Sequence, residues 1–273
     1  MTTTLTPLAR LDQPEEGNRL SWAVADIITM AKRNILAVMR TPEALFFTTL
    51  QPIMFVLLFT YVFGGAIHVP GGKYIQFLMP GIFVQTVIFG AMASSSGLAE
   101  DLHKGIIERF RALPMSRSAV LAGRTVSDLV RNVFVVILIT LVGYAVGFRI
   151  GTNVALFACG VLVILFFAYA LSWGFAYIGL SAPNAETAQV MVFPLIFPLL
   201  FASSAFVPVA SMPGWLQAFA EHQPVTQVVN ASRSLMVGGA LHDSAAVWRA
   251  LLWTVGLLVV LAPIAVRKYR RVA

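Results

Sequence analysis

Six apolar stretches, at about 44–63, 77–99, 126–148, 154–180, 188–207 and 247–266, dominate this chain. Each approaches or exceeds the roughly 20 residues that an α-helix needs to cross about 30 Å of hydrocarbon. Hydrocarbon offers the backbone no hydrogen bonds, so such a segment must satisfy its own amides by coiling into a helix. Over 273 residues, 58% are hydrophobic and 11% charged, with a mean hydropathy of +0.82. Soluble domains carry about 25% charged residues. The expected fold class is therefore an all-α integral membrane protein with six transmembrane helices.

The segments between the runs refine this plan. Residues 1–19 are rich in Thr, Pro and acids and are expected to form a flexible cytoplasmic leader. Over 20–40, Leu20, Val24, Ile27, Ile28, Ala31 and Ile35 share one helical face while Asp26, Lys32 and Arg33 lie off it, the pattern of an interfacial helix along the membrane. Thr41-Pro42-Glu43 then offers an N-cap hydroxyl, a first-turn proline and an acid at the positive dipole end. After the fifth run, residues 211–237 are too short and too interrupted to cross. They read as two re-entrant helices before the last span, with Gly238-Gly239 as the stop.

Six spans put both termini on one side, and 15 of the 19 Lys and Arg residues fall in the leader, the interfacial helix, the segment around 100–131 and the tail Arg267–Arg271. Basic loops stay cytoplasmic, so both termini are expected there. Orientation thus accounts for the net charge of +7 without a nucleic-acid partner.

The densest charged run is Glu100–Arg117. Within it Leu102, Ile106, Ile107 and Phe110 recur at spacings of three and four, so a short amphipathic helix over about 100–112 is expected. Leu113-Pro114 stops it, because residues before proline disfavour helical torsions. Basic charge alone would set topology; an apolar stripe flanked by Glu108 and Arg109 points instead to docking on a soluble partner. Glu100, Asp101, Lys104, Ile106, Ile107, Glu108, Arg109, Phe110 and Arg111 are its candidate coupling residues.

Catalytic machinery is hard to find. No acid falls in the middle of an expected span, which counts against an ion-coupled carrier. Gly72-Lys73-Tyr74 lacks the spacing of a phosphate-binding loop, so uphill work needs an engine on another chain. The single Cys159 allows no internal disulfide, and His68, His222 and His242 lack metal spacing. Arg124, Asp128 and Arg131 form a ladder that fits a structural clamp or a gate at the start of the third span. Pro194 and Pro198 should flex the fifth. Phe193, Phe197 and Phe201 share its spacing and offer an apolar wall, to a ligand or to packing neighbours. Gln51 and Gln85 are polar groups inside spans, facing either another helix or a cavity.

Two blocks, HKGIIERFRALPMSRSAVLAGRTVSDLVRN (103–132) and FVPVASMPGWLQAFAEHQPVTQVVNASRSLMVGG (206–239), resemble those of ABC-2-type transport permeases, especially the daunorubicin-resistance membrane subunits of bacteria. The resemblance implies a half transporter that pairs with a second permease copy or paralogue and with two cytoplasmic ATPase subunits. It needs no cofactor of its own; ATP and magnesium would bind the partner. It further implies coupling through the segment near Glu100–Arg111, an outer mouth closed by the re-entrant helices, and lipophilic drug, lipid or glycolipid cargo. The competing readings are an ion-gradient-driven drug transporter and a membrane-embedded lipid-modifying enzyme.

Overall fold

The structure is a computed structural model that describes residues 42–69, 72–104 and 117–272. Every regular element among these residues is helical. Helix α1 spans Pro42–Leu58 and runs on into a π-helical turn, Phe59–Phe63. It is followed by α2 (Tyr74–His103), α3 (Arg117–Val146), α4 (Val154–Gly179) and α5 (Ala185–Phe201). Two short helices, α6 (Gly214–His222) and α7 (Pro224–Met236), precede the last, α8 (Ala246–Val272). Tyr74–His103, Asp128–Val146, Val154–Gly179 and Ala246–Val272 are long and apolar enough to cross a membrane, whereas Thr49–Phe63 and Ala185–Phe201 are apolar but shorter. The interfacial helix expected over 20–40 lies outside the described residues.

Helix α2 is the axis of the bundle. Its side chains Leu78, Met79, Ile82, Phe83 and Val87 are fully buried, enclosed by α3, α4, α5 and α7. At 1.5 Å per residue its 30 residues reach about 45 Å, well beyond the hydrocarbon thickness. The second span was expected to end near 99 with a separate helix after it; instead α2 continues unbroken to His103 and turns at Lys104. The fifth helix, expected over 188–207, begins at Ala185 and stops at Phe201.

Local chemistry sets the helix ends. Asn153 Oδ1 accepts from the Leu156 amide and Asn184 Oδ1 from the Thr187 amide, both at 2.7 Å, the geometry of N-caps. Asp243 Oδ1 accepts from the Ala245 amide at 2.9 Å just ahead of α8. At the His103 end, that imidazole hydrogen-bonds the Pro183 carbonyl and so ties α2 to the α4–α5 turn. Leu98, Trp173, Leu180, Ala265 and Tyr269 form a second small core at this end. Met54, Tyr61, Leu141, Leu162, Leu195, Leu252 and Val259 face outward, as a bilayer-facing surface requires.

Lipid tails are as apolar as leucine, so helix association here rests on close packing and hydrogen bonds. Gly179 of α4 meets α2 where a Cβ would lie 2.3 Å from the Ser95 carbonyl oxygen. Gly256 of α8 has nothing within 4 Å of the same position. Gly179→Ala should therefore force α2 and α4 apart, costing about 1–3 kcal/mol, read as a lower thermal midpoint of the detergent-purified protein. Gly256→Ala should leave that midpoint unchanged or raise it slightly, since alanine is the better helix former.

Candidate functional site

Helix α5 presents Gln189, Phe193, Phe197 and Phe201, four residues apart, along one edge of a cavity of about 300 Å³. A row spanning 12 residues runs about 18 Å along the helix axis. The opposite walls come from Gln51, Pro52 and Phe55 of α1, Gln85, Phe89 and Ser96 of α2, and Arg131, Asn132 and Val135 of α3. All five residues expected to border a substrate path (Gln51, Gln85, Phe193, Phe197 and Phe201) thus line one cavity.

The aromatic row extends beyond α5. Ring centroids are 5.6 Å apart for Phe193–Phe197, and 5.3 Å for both Phe197–Phe201 and Phe201–Phe206. Phe206 then stacks on Phe59 at 4.7 Å, and Phe59 on Phe55 at 5.8 Å and Phe63 at 5.2 Å. Sequence reasoning singled out the α5 half of this row and missed the α1 half, although Phe55, Phe59 and Phe63 carry the same four-residue spacing.

Polar groups cluster on the facing wall. Arg131 Nη2 donates to the Gly90 carbonyl of α2 and lies 3.2 Å from Asp128 Oδ1. Its buried Nε and the buried Oε1 of Gln85 have no hydrogen-bond partner. Asn132 sits over Gly90, where a Cβ would come within 2.2 Å of its Oδ1. Arg124 falls one turn before Asp128 in α3, and its side chain lies outside the described residues. Pro194 and Pro198 both sit inside α5 on exposed positions. Lacking N–H groups, they leave the Val190 and Pro194 carbonyls without a helical donor.

At the far end of the row stands an arginine that sequence reasoning did not single out. Arg233 of α7 is 3% exposed. Its guanidinium lies 3.5 Å from the Phe77 ring centroid, and Nε donates to the Phe77 carbonyl at 2.8 Å. Nη1 donates to Ser204 Oγ and Asn230 Oδ1, each at 3.1 Å, and Nη2 to the carbonyls of Ser204 and Ala205. Three neighbours on the same face of α7 reach the same segment. Gln223 Nε2 donates to the Leu199 carbonyl at 3.0 Å, Thr226 Oγ1 accepts from the Ser204 amide at 3.1 Å, and Asn230 Oδ1 accepts from Ser204 Oγ at 2.8 Å. Tyr74 adds a 2.7 Å bond to the Phe206 carbonyl.

At the opposite end Glu100 and Lys104 form an exposed ion pair of 2.5 Å. The hydrogen bond to Glu100, reinforced by its charge, raises the Lys104 ammonium above its ordinary pKa. Asp101 belongs to the same last turn of α2. Ile106, Ile107, Glu108, Arg109, Phe110 and Arg111 lie outside the described residues.

An apolar bundle around an aromatic-walled cavity, with its charge gathered at the helix ends, is the plan of a multi-pass membrane permease. The chain belongs to the ABC-2 type transporter family, which it matches over residues 25–237. It is 35% identical over 251 residues to the daunorubicin resistance ABC transporter permease protein DrrB1 of Streptomyces coeruleorubidus, covering 91% of this chain and 87% of that protein. It is 29% identical over 216 residues to the doxorubicin resistance ABC transporter permease protein DrrB of Mycobacterium tuberculosis, covering 77% of this chain and 74% of that one. Both relatives are named as permeases rather than enzymes, and membership in this family implies an ATPase partner.

Replacing Arg233 strands several buried carbonyls at once. Arg233→Met should cost about 3–5 kcal/mol. Arg233→Lys should recover only part of this, because an ammonium cannot reproduce the planar fork. The thermal midpoint and the monodisperse fraction on size exclusion would show the ordering wild type, Lys, Met.

Proposed function

We propose that this chain is the permease half of an ATP-driven exporter that carries lipophilic drug, lipid or glycolipid cargo outward across a bacterial plasma membrane. The observation that carries this reading is the cavity shared by α1, α2, α3 and α5. Its Phe193–Phe197–Phe201 wall suits a flat apolar body, and Gln51, Gln85, Gln189 and Asn132 suit the few polar groups of an amphiphile. The relatives' names, daunorubicin and doxorubicin resistance, support cargo of that chemistry.

In this reading all six apolar helices cross the bilayer, both termini are cytoplasmic, and α6 and α7 dip into the outer leaflet as re-entrant helices. Two copies of a cytoplasmic ATPase, holding ATP and magnesium, serve this chain and a second permease, identical or paralogous. Closure of the ATPase dimer pushes on Glu100–Arg111, and α2 passes that motion along its length. The continuous helix through His103, stiffened by Glu100–Lys104 and anchored to Pro183, supports such a lever. The Arg131–Asp128 pair and its bond to Gly90 join α3 to α2 beside the cavity, so the two helices tilt together. The proline pair lets α5 bend as the cavity changes shape.

Transport in inside-out vesicles tests the reading. Chain and ATPase together should accumulate a lipophilic anthracycline on adding ATP and magnesium, and the chain alone should accumulate none. Phe197→Ala should raise the half-saturating concentration roughly tenfold, the loss expected when one buried ring contact worth about 1.5 kcal/mol is removed. Accumulation driven by a proton gradient without ATP would sink the proposal. Reversing both charges, Glu108→Lys with Arg109→Glu, should abolish copurification of the ATPase while the permease still elutes as a monodisperse species.

A further inference from the structure

A second cavity, of about 430 Å³, lies beside α7, between the end of α6 and the start of α8. Glu221, His222, Thr226, Gln227, Asn230, Arg249 and Trp253 are among its lining residues, so both signs of charge, three neutral polar groups and an indole share one space. Its size falls within the range of small-ligand sites. Two of the neutral groups are half used. Gln227, 5% exposed, donates through Nε2 to the Glu221 carbonyl, but its buried Oε1 has no partner. Asn230 commits Oδ1 to Ser204 and Arg233, and its amide nitrogen makes no hydrogen bond among the described residues.

The surroundings say what kind of ligand fits. Trp215 of α6 and Trp248 of α8 are 77% and 71% exposed, in the manner of indoles at a headgroup belt. Trp248, Leu252, Val255 and Val259, all exposed, form one stripe down α8 away from the cavity mouth. The stripe faces lipid like the other outward apolar residues, so acyl chains lie beside the cavity mouth. We infer that the cavity between α6, α7 and α8 holds the zwitterionic headgroup of a phospholipid from the adjacent leaflet. The primary ammonium sits against the exposed Glu221 carboxylate. The phosphate meets Arg249, which also pairs with Asp243, and the Asn230 amide. The acyl chains lie along Leu252–Val259.

This assignment needs neither the direction of transport nor the nature of the cargo. The test is native mass spectrometry of the full chain, delipidated in detergent and titrated separately with phosphatidylethanolamine, phosphatidylglycerol, soluble phosphoethanolamine and inorganic phosphate. Phosphatidylethanolamine should bind at least tenfold more tightly than phosphatidylglycerol, and the two soluble probes more weakly than either lipid. Glu221→Gln, an exposed and nearly isosteric change, should erase the preference by weakening phosphatidylethanolamine alone. Arg249→Gln should weaken both lipids, with the thermal midpoint in lipid-free detergent reporting whether the variant is folded. Equal binding of the two lipids, an unchanged preference in Glu221→Gln, or phosphoethanolamine binding as tightly as the lipid would each overturn the inference.

Discussion

Helix α5 ends at Phe201, and everything near the cavity depends on how the carbonyls at that end find partners. The chain beyond it turns within the protein, where water does not reach Ser203, Ser204 and Ala205. Irregular backbone at such a place survives only if other protein groups complete its hydrogen bonds. Gln223, which caps α7, does this together with Thr226, Asn230 and Arg233 on its successive turns, and Tyr74 does it from α2. Arg233 alone links α7, α2 and the α5–α6 connection, so the short helix is a structural strut as much as a cover.

That strut fixes the aromatic row. Phe206 follows directly on the pinned segment, and its ring bridges Phe201 of α5 and Phe59 of α1. The Phe206 backbone is held by Tyr74, which starts the central helix. The same α2 carries Gln85 in the cavity wall and Glu100 at its far end. Cavity, strut and charged tip are therefore parts of a single rigid rod and what is bonded to it.

Much of the plan was legible because hydrocarbon imposes it. Uncharged runs must coil, and so α2, α4 and α8 follow closely from composition and length. The α5 wall was legible through its four-residue spacing, and Phe55, Phe59 and Phe63 offered the same signal in α1. Arg233 was not legible. Its partners are main-chain carbonyls at Phe77, Ser204 and Ala205, and nothing in the side-chain pattern of residues so distant in sequence marks them. The polar stripe of α7 misleads for a related reason: Gln223, Thr226 and Arg233 would conventionally face water, yet they are buried against backbone. The unbroken join of α2 to Glu100 also escaped notice, since charge density suggested a break where the helix only leaves the apolar zone.

Rings of one kind, spaced about evenly, give the α5 wall of the cavity nearly the same surface at each step. From Phe193 to Phe201 one stacking face follows an equivalent one, while Phe206 and Phe59 carry the row on into the packed protein rather than along the cavity. In the proposed export role, such a corrugated but level wall grips many aromatic or greasy shapes loosely and few of them tightly. Discrimination then falls to the sparse amides opposite, and tolerance for chemically varied passengers follows from the monotony of the wall itself.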